Sequence, residues 1–161
     1  EVVLSTASGM SIRFSEQDAR PMGRDAAGVI GITLSADDRV VSMTVANDEG
    51  ALITVCEHGY GKRTRFSEYR SQKRGGKGLI DIRTSKRNGK VVAARALSQN
   101  CDAMLMTSSG MLVRISLENV RPIGRNTQGV RLINVKDGDV VIGMELVETA
   151  TVDPEQDSTQ D

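Results

Sequence analysis

The sequence has no tryptophan, two phenylalanines, two tyrosines and a single histidine in 161 residues. A hydrophobic core must therefore come from Val, Ile, Leu and Met, and no aromatic platform is present on which unpaired bases could stack. One histidine, His58, placed beside a turn glycine, leaves no credible Ser/His/acid constellation. Cysteine is scarce as well: Cys56 and Cys101 each stand alone in an apolar segment, without a CxxC neighbour. With one histidine they cannot supply the four closely spaced ligands of a structural zinc, so they read as buried free thiols of a cytosolic protein. No apolar run approaches the length of a membrane-spanning helix, no signal-peptide pattern is visible, and no sustained helical periodicity occurs. Gly59-Tyr60-Gly61-Lys62 lacks the spacing of a phosphate-binding P-loop. Asp137-Gly138-Asp139 is too short for a calcium loop, and Asp37-Asp38 reads as a turn. The sequence offers no active site.

What is present is a repeat. Arg20-Pro21-Met22-Gly23-Arg24 with Gly28-Val29 returns as Arg121-Pro122-Ile123-Gly124-Arg125 with Gly129-Val130. Between them lies a more basic version, Gln72-Lys73-Arg74-Gly75-Gly76-Lys77-Gly78. The closing glycines Gly28, Gly78 and Gly129 are spaced by 50 and 51 residues. Turn glycines (Gly9, Gly59, Gly110), arginines four residues further on (Arg13, Arg63, Arg114) and paired valines (Val40-Val41, Val91-Val92, Val140-Val141) keep the same phase. A period of this size marks a repeat architecture whose units bury a face only against their neighbours.

Each unit reads as four short β segments. They fall at residues 2–5, 10–14, 29–34 and 39–45; at 51–56, 61–66, 79–84 and 90–96; and at 103–107, 111–116, 130–135 and 140–146. Gly turns join the first two segments of each unit into a hairpin, and the 36–38, 87–89 and 137–139 turns mark a second hairpin. A longer loop between the hairpins opens with one helical turn and ends in the Arg/Gly motif. The reading is an all-β chain of propeller-like blades, each of four antiparallel strands, at 1–47, 48–97 and 98–148. Three blades cannot close a ring, so the chain is either half of a larger propeller or pairs with a second copy to cover its open edge strands. It begins at Glu1 in the middle of a strand-like segment, which suggests a piece of a longer protein.

Charge is balanced overall, with 21 basic and 21 acidic residues, but it is unevenly distributed. Residues 48–97 carry a net +7, whereas 148–161 hold five acidic residues and no basic one. The segment 149–161 is expected to be an acidic tail without regular structure. A basic block of this kind points to a polyanion. In the middle loop, Lys73, Arg74 and Lys77 put three cations within five residues, while Gly75, Gly76 and Gly78 let the backbone approach phosphate oxygens. Lys62, Arg63, Arg65, Arg70, Arg83, Lys86 and Arg87 flank the loop together with Gln72. On one rim these residues form a track for a duplex backbone, with salt-sensitive, sequence-independent binding. The first and third units keep only one arginine and the turn glycine, so Arg24, Arg74 and Arg125 are open to two roles: DNA contact, or bonding carbonyls between blades.

The middle loop resembles the Gln-Arg-Arg-Gly-Gly-Lys-Gly box of the C-terminal domain of the DNA gyrase A subunit, with Lys73 in place of the first arginine. Gly59-Tyr60-Gly61-Lys62-Arg63-Thr64, Arg87-Asn88-Gly89 and Gly124-Arg125-Asn126-Thr127-Gln128-Gly129-Val130 are similar to stretches of the same domain and of its topoisomerase IV relative. The resemblance covers residues 1–148. It implies a β-pinwheel whose blades exchange strands, and double-stranded DNA wrapped on a basic rim in support of ATP-dependent negative supercoiling by a type II topoisomerase holoenzyme. It also implies the gyrase B subunit and the rest of the A subunit as partners, and a cytoplasmic, nucleoid-associated location. ATP and Mg2+ would act elsewhere in that holoenzyme, with no cofactor, metal or catalytic residue here; Tyr60 and Tyr69 are no candidates for strand cleavage. The family box sits in the first of six blades. Here the box-like loop lies in the second of three units, and the chain resembles the last three blades. The competing reading is a propeller-type protein-interaction module that docks an acidic partner or its own tail.

Overall fold

The computed structural model describes residues 1–97 and 101–148; the acidic segment expected at 149–161 lies outside them. The chain is all-β, with β1 (Val2–Thr6), β2 (Met10–Phe14), β3 (Val40–Val45), β4 (Ala51–Cys56), β5 (Tyr60–Arg65), β6 (Leu79–Ile80), β7 (Val91–Leu97), β8 (Cys101–Thr107), β9 (Leu112–Ser116), β10 (Val130–Arg131) and β11 (Val141–Glu148). Single 3-10 turns at Glu16–Asp18 and Phe66–Glu68 open the long loops of the first two units. The hairpin turns are built as the sequence suggests. Gly9, Gly59 and Gly110 all have positive φ, which glycine adopts without steric penalty. Asp38 and Asp139 each cap the neighbouring hairpin, accepting from the backbone N–H of Ser8 and Ser109 at 2.9 Å.

The sheets do not follow the unit boundaries. Each unit supplies a three-stranded antiparallel core, and the third segment of the second and third units crosses to the sheet of the unit before it. The first sheet has the order β3-β1-β2-β6 and the second β10-β5-β4-β7. Thus β6 of the second unit pairs with β2, and β10 of the third unit pairs with β5. Each four-stranded sheet is therefore drawn from two units, the exchange that the family resemblance implied, and not from one unit as the segment pattern alone suggested. The exchanged strands are also shorter than the segments read at 79–84 and 130–135. After two residues the chain turns inward, and the N–H groups of Asp81 and Ile82 converge on the Gly9 carbonyl, as those of Leu132 and Ile133 do on Gly59. Several backbone bonds then repeat from one junction to the next. Gln72 N–H donates to Arg13 O at 2.8 Å and Ile123 N–H to Arg63 O at 2.8 Å; Val91 N–H donates to Ala7 O and Val141 N–H to Glu57 O.

The segment 29–34 of the first unit is not a strand. No sheet precedes the first one among the described residues, so the segment has none to pair with there. It lies instead over its own hairpin, with Ile32 buried against Ile12 and Phe14. The approach is close enough that a Cβ on Gly31 would come within 2.5 Å of Leu4 Cδ1. The third sheet has three strands, β11-β8-β9. The core is aliphatic, as the scarcity of aromatics requires. Its largest cluster joins Ile53, Val55, Leu97 and Cys101 to Leu105, Leu117, Val141 and Met144 across the second and third units. Full burial of each large side chain contributes about 1.5–3 kcal/mol. Cys56 is buried too, which pushes its thiol up to about 12.

Candidate nucleic-acid interface

The basic loop, residues 72–78, is held by the sheet of the first unit. Gly75 and Gly78 have φ of 81° and 75°. A Cβ on Gly78 would stand 2.5 Å from Ser11 O, and one on Gly129 would stand 2.5 Å from Gly61 O, so these two glycines are required by close packing. Gly76 has no atom nearer than 3.6 Å to such a Cβ. Gly75 N–H donates to Gly31 O at 2.7 Å, and Thr33 N–H donates to Gly76 O at 2.9 Å.

The two roles left open for the arginines separate here. Arg74 donates from Nε to Asp18 O at 2.8 Å and from a terminal nitrogen to Ile30 O at 3.0 Å. Arg125, one repeat on, donates to Ile80 O at 3.0 Å and lies over the Tyr69 ring at 6.0 Å. Both are clamps on carbonyls of the preceding unit. Arg24 has no preceding unit to reach among the described residues and is exposed. Lys73 and Lys77 stand exposed on either side of Arg74, with no ion pair or hydrogen bond among the described residues.

The flanking cations divide in the same way. Arg65, Arg70 and Lys86 are exposed and form no ion pair among the described residues. Arg83 is exposed but donates to Asn126 Oδ1 at 2.6 Å. Arg63 and Gln72 are half-buried and line the second and first junctions through their backbone. Lys62 is a correction: it cannot face a phosphate, because its side chain is 0% exposed. Its amine lies 3.2 Å from Asp81 and donates to Thr64 Oγ1 at 2.8 Å, Arg125 O at 2.9 Å and Gly124 O at 3.3 Å. Asp81 also accepts from the Tyr69 hydroxyl and, at 2.7 Å, from Thr54. Burial lowers the Lys62 pKa, and contact with Asp81 works against that shift. The lysine is thus the anchor under the third unit's Arg/Gly loop. The repeat held the signal, since its counterparts at the same hairpin position are Ile12 and Val113.

Sequence reasoning also missed Arg131. It reaches back from β10 to the Tyr60 hydroxyl, at 2.7 Å.

A propeller whose neighbouring units exchange a short strand, with an arginine-glycine loop clamped at each junction, defines a β-pinwheel. Similarity to known proteins gives the particular family. The model of the DNA gyrase C-terminal domain, a β-propeller, matches residues 1–47, 51–98 and 102–148, and the chain belongs to that family. It is 42% identical to the DNA gyrase A subunit of Salmonella typhimurium over 98% of the chain, and 43% identical to that of Lawsonia intracellularis, also over 98%. The chain spans only 18% and 20% of those two relatives. A solved DNA gyrase A C-terminal domain superimposes with a TM-score of 0.83 at 27% identity, covering 90% of this chain and 50% of that one. The C-terminal domain of a DNA topoisomerase IV shares the fold with a TM-score of 0.85 at 22% identity, over 91% of this chain and 46% of that one.

Proposed function

We propose that this chain is a DNA-binding and DNA-wrapping module of a type II topoisomerase of the gyrase kind. In this reading it holds duplex backbone on the cations of its middle unit and supports ATP-dependent negative supercoiling by a holoenzyme. The rest of the gyrase A subunit and the gyrase B subunit are its partners there, in the cytoplasm on the nucleoid. It contributes no catalytic residue and takes no cofactor of its own; ATP and Mg2+ serve the holoenzyme elsewhere. The observation that carries the reading is the division of labour in the basic loop. Arg74 is used up on the junction, yet Lys73 and Lys77 remain exposed beside it without a partner among the described residues. Arg65, Arg70, Arg83, Lys86 and Arg87 of the same unit are also exposed. Arg24 and Arg125 are secondary.

The test is plasmid topology. Relaxed circular DNA is incubated with the chain, closed by an independent nicking-closing enzyme, and its linking number is read on a gel. A shift of constant sign that is lost in Lys73→Ala/Lys77→Ala is the expected result. Binding without any shift would reduce the module to a DNA holder. Absence of binding would turn the basic loop into a docking surface for an acidic protein partner.

A further inference from the structure

We infer that the groove between the second and third units is a phosphate-binding subsite, formed by Arg87 and Arg131 around Tyr60. The groove measures about 470 Å3, and Lys136 and His58 also line it. Arg87 lies over the Tyr60 ring at 4.8 Å and Arg131 at 5.2 Å, so two guanidinium groups converge on one aromatic side chain. Arg131 donates to the Tyr60 hydroxyl and, at 3.0 Å, to Asn134 Oδ1. Neither arginine has an ion pair with a carboxylate among the described residues. Two carboxylates also line the groove, Asp137 and Asp139, the latter accepting from Ser108 and Ser109 at 2.6 Å each; neither forms an ion pair with Arg87 or Arg131. The two guanidinium groups repel one another, and an anion held between them offsets that repulsion. Planar guanidinium forks and a phenol are donors suited to a tetrahedral oxyanion, and the forks bind phosphate in bidentate fashion.

The repeat supplies an internal control. Tyr60 pairs with Arg131 across β5 and β10, and the equivalent pair across β2 and β6 is Met10 with Ile80. Where the second unit has the turn Arg87-Asn88-Gly89, the first has Ala36-Asp37-Asp38, with no basic residue. The same junction therefore forms with an apolar strand pair and an acidic turn, so the fold does not require the basic cluster. The ligand we assign is a phosphodiester of duplex DNA, which places this inference on the functional reading above.

The experiment uses the full 161-residue chain. Duplex affinity is measured against salt for wild type, Arg131→Gln, Arg87→Gln and the pair, with Lys73→Ala/Lys77→Ala alongside. A phosphate contact contributes about 0.9 to the salt slope, so the Arg87/Arg131 double variant should lower it by about 1 and weaken binding several-fold. In parallel, the Tyr60 phenol resonance is followed during titration with the duplex and, separately, with inorganic phosphate. A Tyr60 response to both supports the subsite on DNA. A response to inorganic phosphate alone supports a phosphate subsite and moves its ligand to a small phosphorylated molecule. Unchanged slopes in all three arginine variants, with Tyr60 silent to both ligands, overturn the inference. They leave the wrapping module standing as long as the lysine variant loses affinity. If wild type binds no duplex, the functional reading fails, and the phosphate titration alone decides the subsite.

Discussion

The first and second units solve the same packing problem with opposite chemistry. In the first, Leu4 pairs with Ile12 across the hairpin, and Phe14 and Ile32 complete an apolar cluster. In the second, Thr54 pairs with Lys62 at the same register, and Thr64, Tyr69 and Asp81 complete a buried polar network. The third unit returns to hydrocarbon, pairing Leu105 with Val113. One backbone therefore accepts either interior, and the middle unit is charged inside as well as out. A buried ion pair with its hydrogen bonds complete is about neutral in stability against a hydrophobic equivalent, whereas a pair missing one partner is costly. The network's contribution is then directional. Bonds from Lys62 and Thr64 to Ile123 O, Gly124 O and Arg125 O set where the third unit's loop lies, which a greasy contact leaves loose.

The largest effect should come from breaking that network at one end. Lys62→Met strands Asp81 in the interior and is expected to cost about 3–5 kcal/mol in denaturant unfolding. Adding Asp81→Leu and Tyr69→Phe removes the stranded partners and should recover most of the loss. If Lys62→Met unfolds like wild type, the network is idle, and the two units differ only in composition.

The clamps give a smaller contrast. Arg74→Gln removes charge-assisted bonds to Asp18 O and Ile30 O, and should cost about 1.5–3 kcal/mol. Arg24→Gln, at the same repeat position but exposed, should stay within about 0.5 kcal/mol. Thermal unfolding of the two variants side by side checks the pair. Equal losses would mean that Arg74 is no clamp.

How far these contrasts could be read in advance follows from periodicity. The period, the hairpins, the all-β class and the aliphatic core rest on local signals such as turn glycines, alternation and spacing, and they were legible. Strand exchange was not, because β6 could pair with β2 or stay with its own unit without changing a residue; only the family resemblance implied it. The short exchanged strands end at a carbonyl of another unit, Gly9 or Gly59, which no local pattern reveals. Exposed Lys73 and Lys77 were legible as surplus over the repeat. Lys62 was misread because its charge was counted and its register was not. Arg131 was passed over because a single arginine in a short strand carries no signal until Tyr60 is opposite it.

The smallest expected effect separates the only two tyrosines. Tyr69 is pushed up from 10.0 by burial, with the charge of Asp81 acting in the same direction. Tyr60 is held below 10.0, chiefly by the hydrogen bond from Arg131. The two have opposite linkage. Above pH 10.0 the unfolded chain loses the Tyr69 proton while the folded chain keeps it, so stability falls as pH rises. Below pH 10.0 the folded chain releases the Tyr60 proton first, so in that window stability rises with pH. Phenolate absorbance should therefore show one tyrosine ionising reversibly below its ordinary range and a second only as the fold is lost. Arg131→Gln should return the first step toward 10.0 and leave the second in place. A single step for both tyrosines would mean that neither the groove nor the buried network holds its phenol as described, and the contrast between the groove tyrosine and the interior one would collapse.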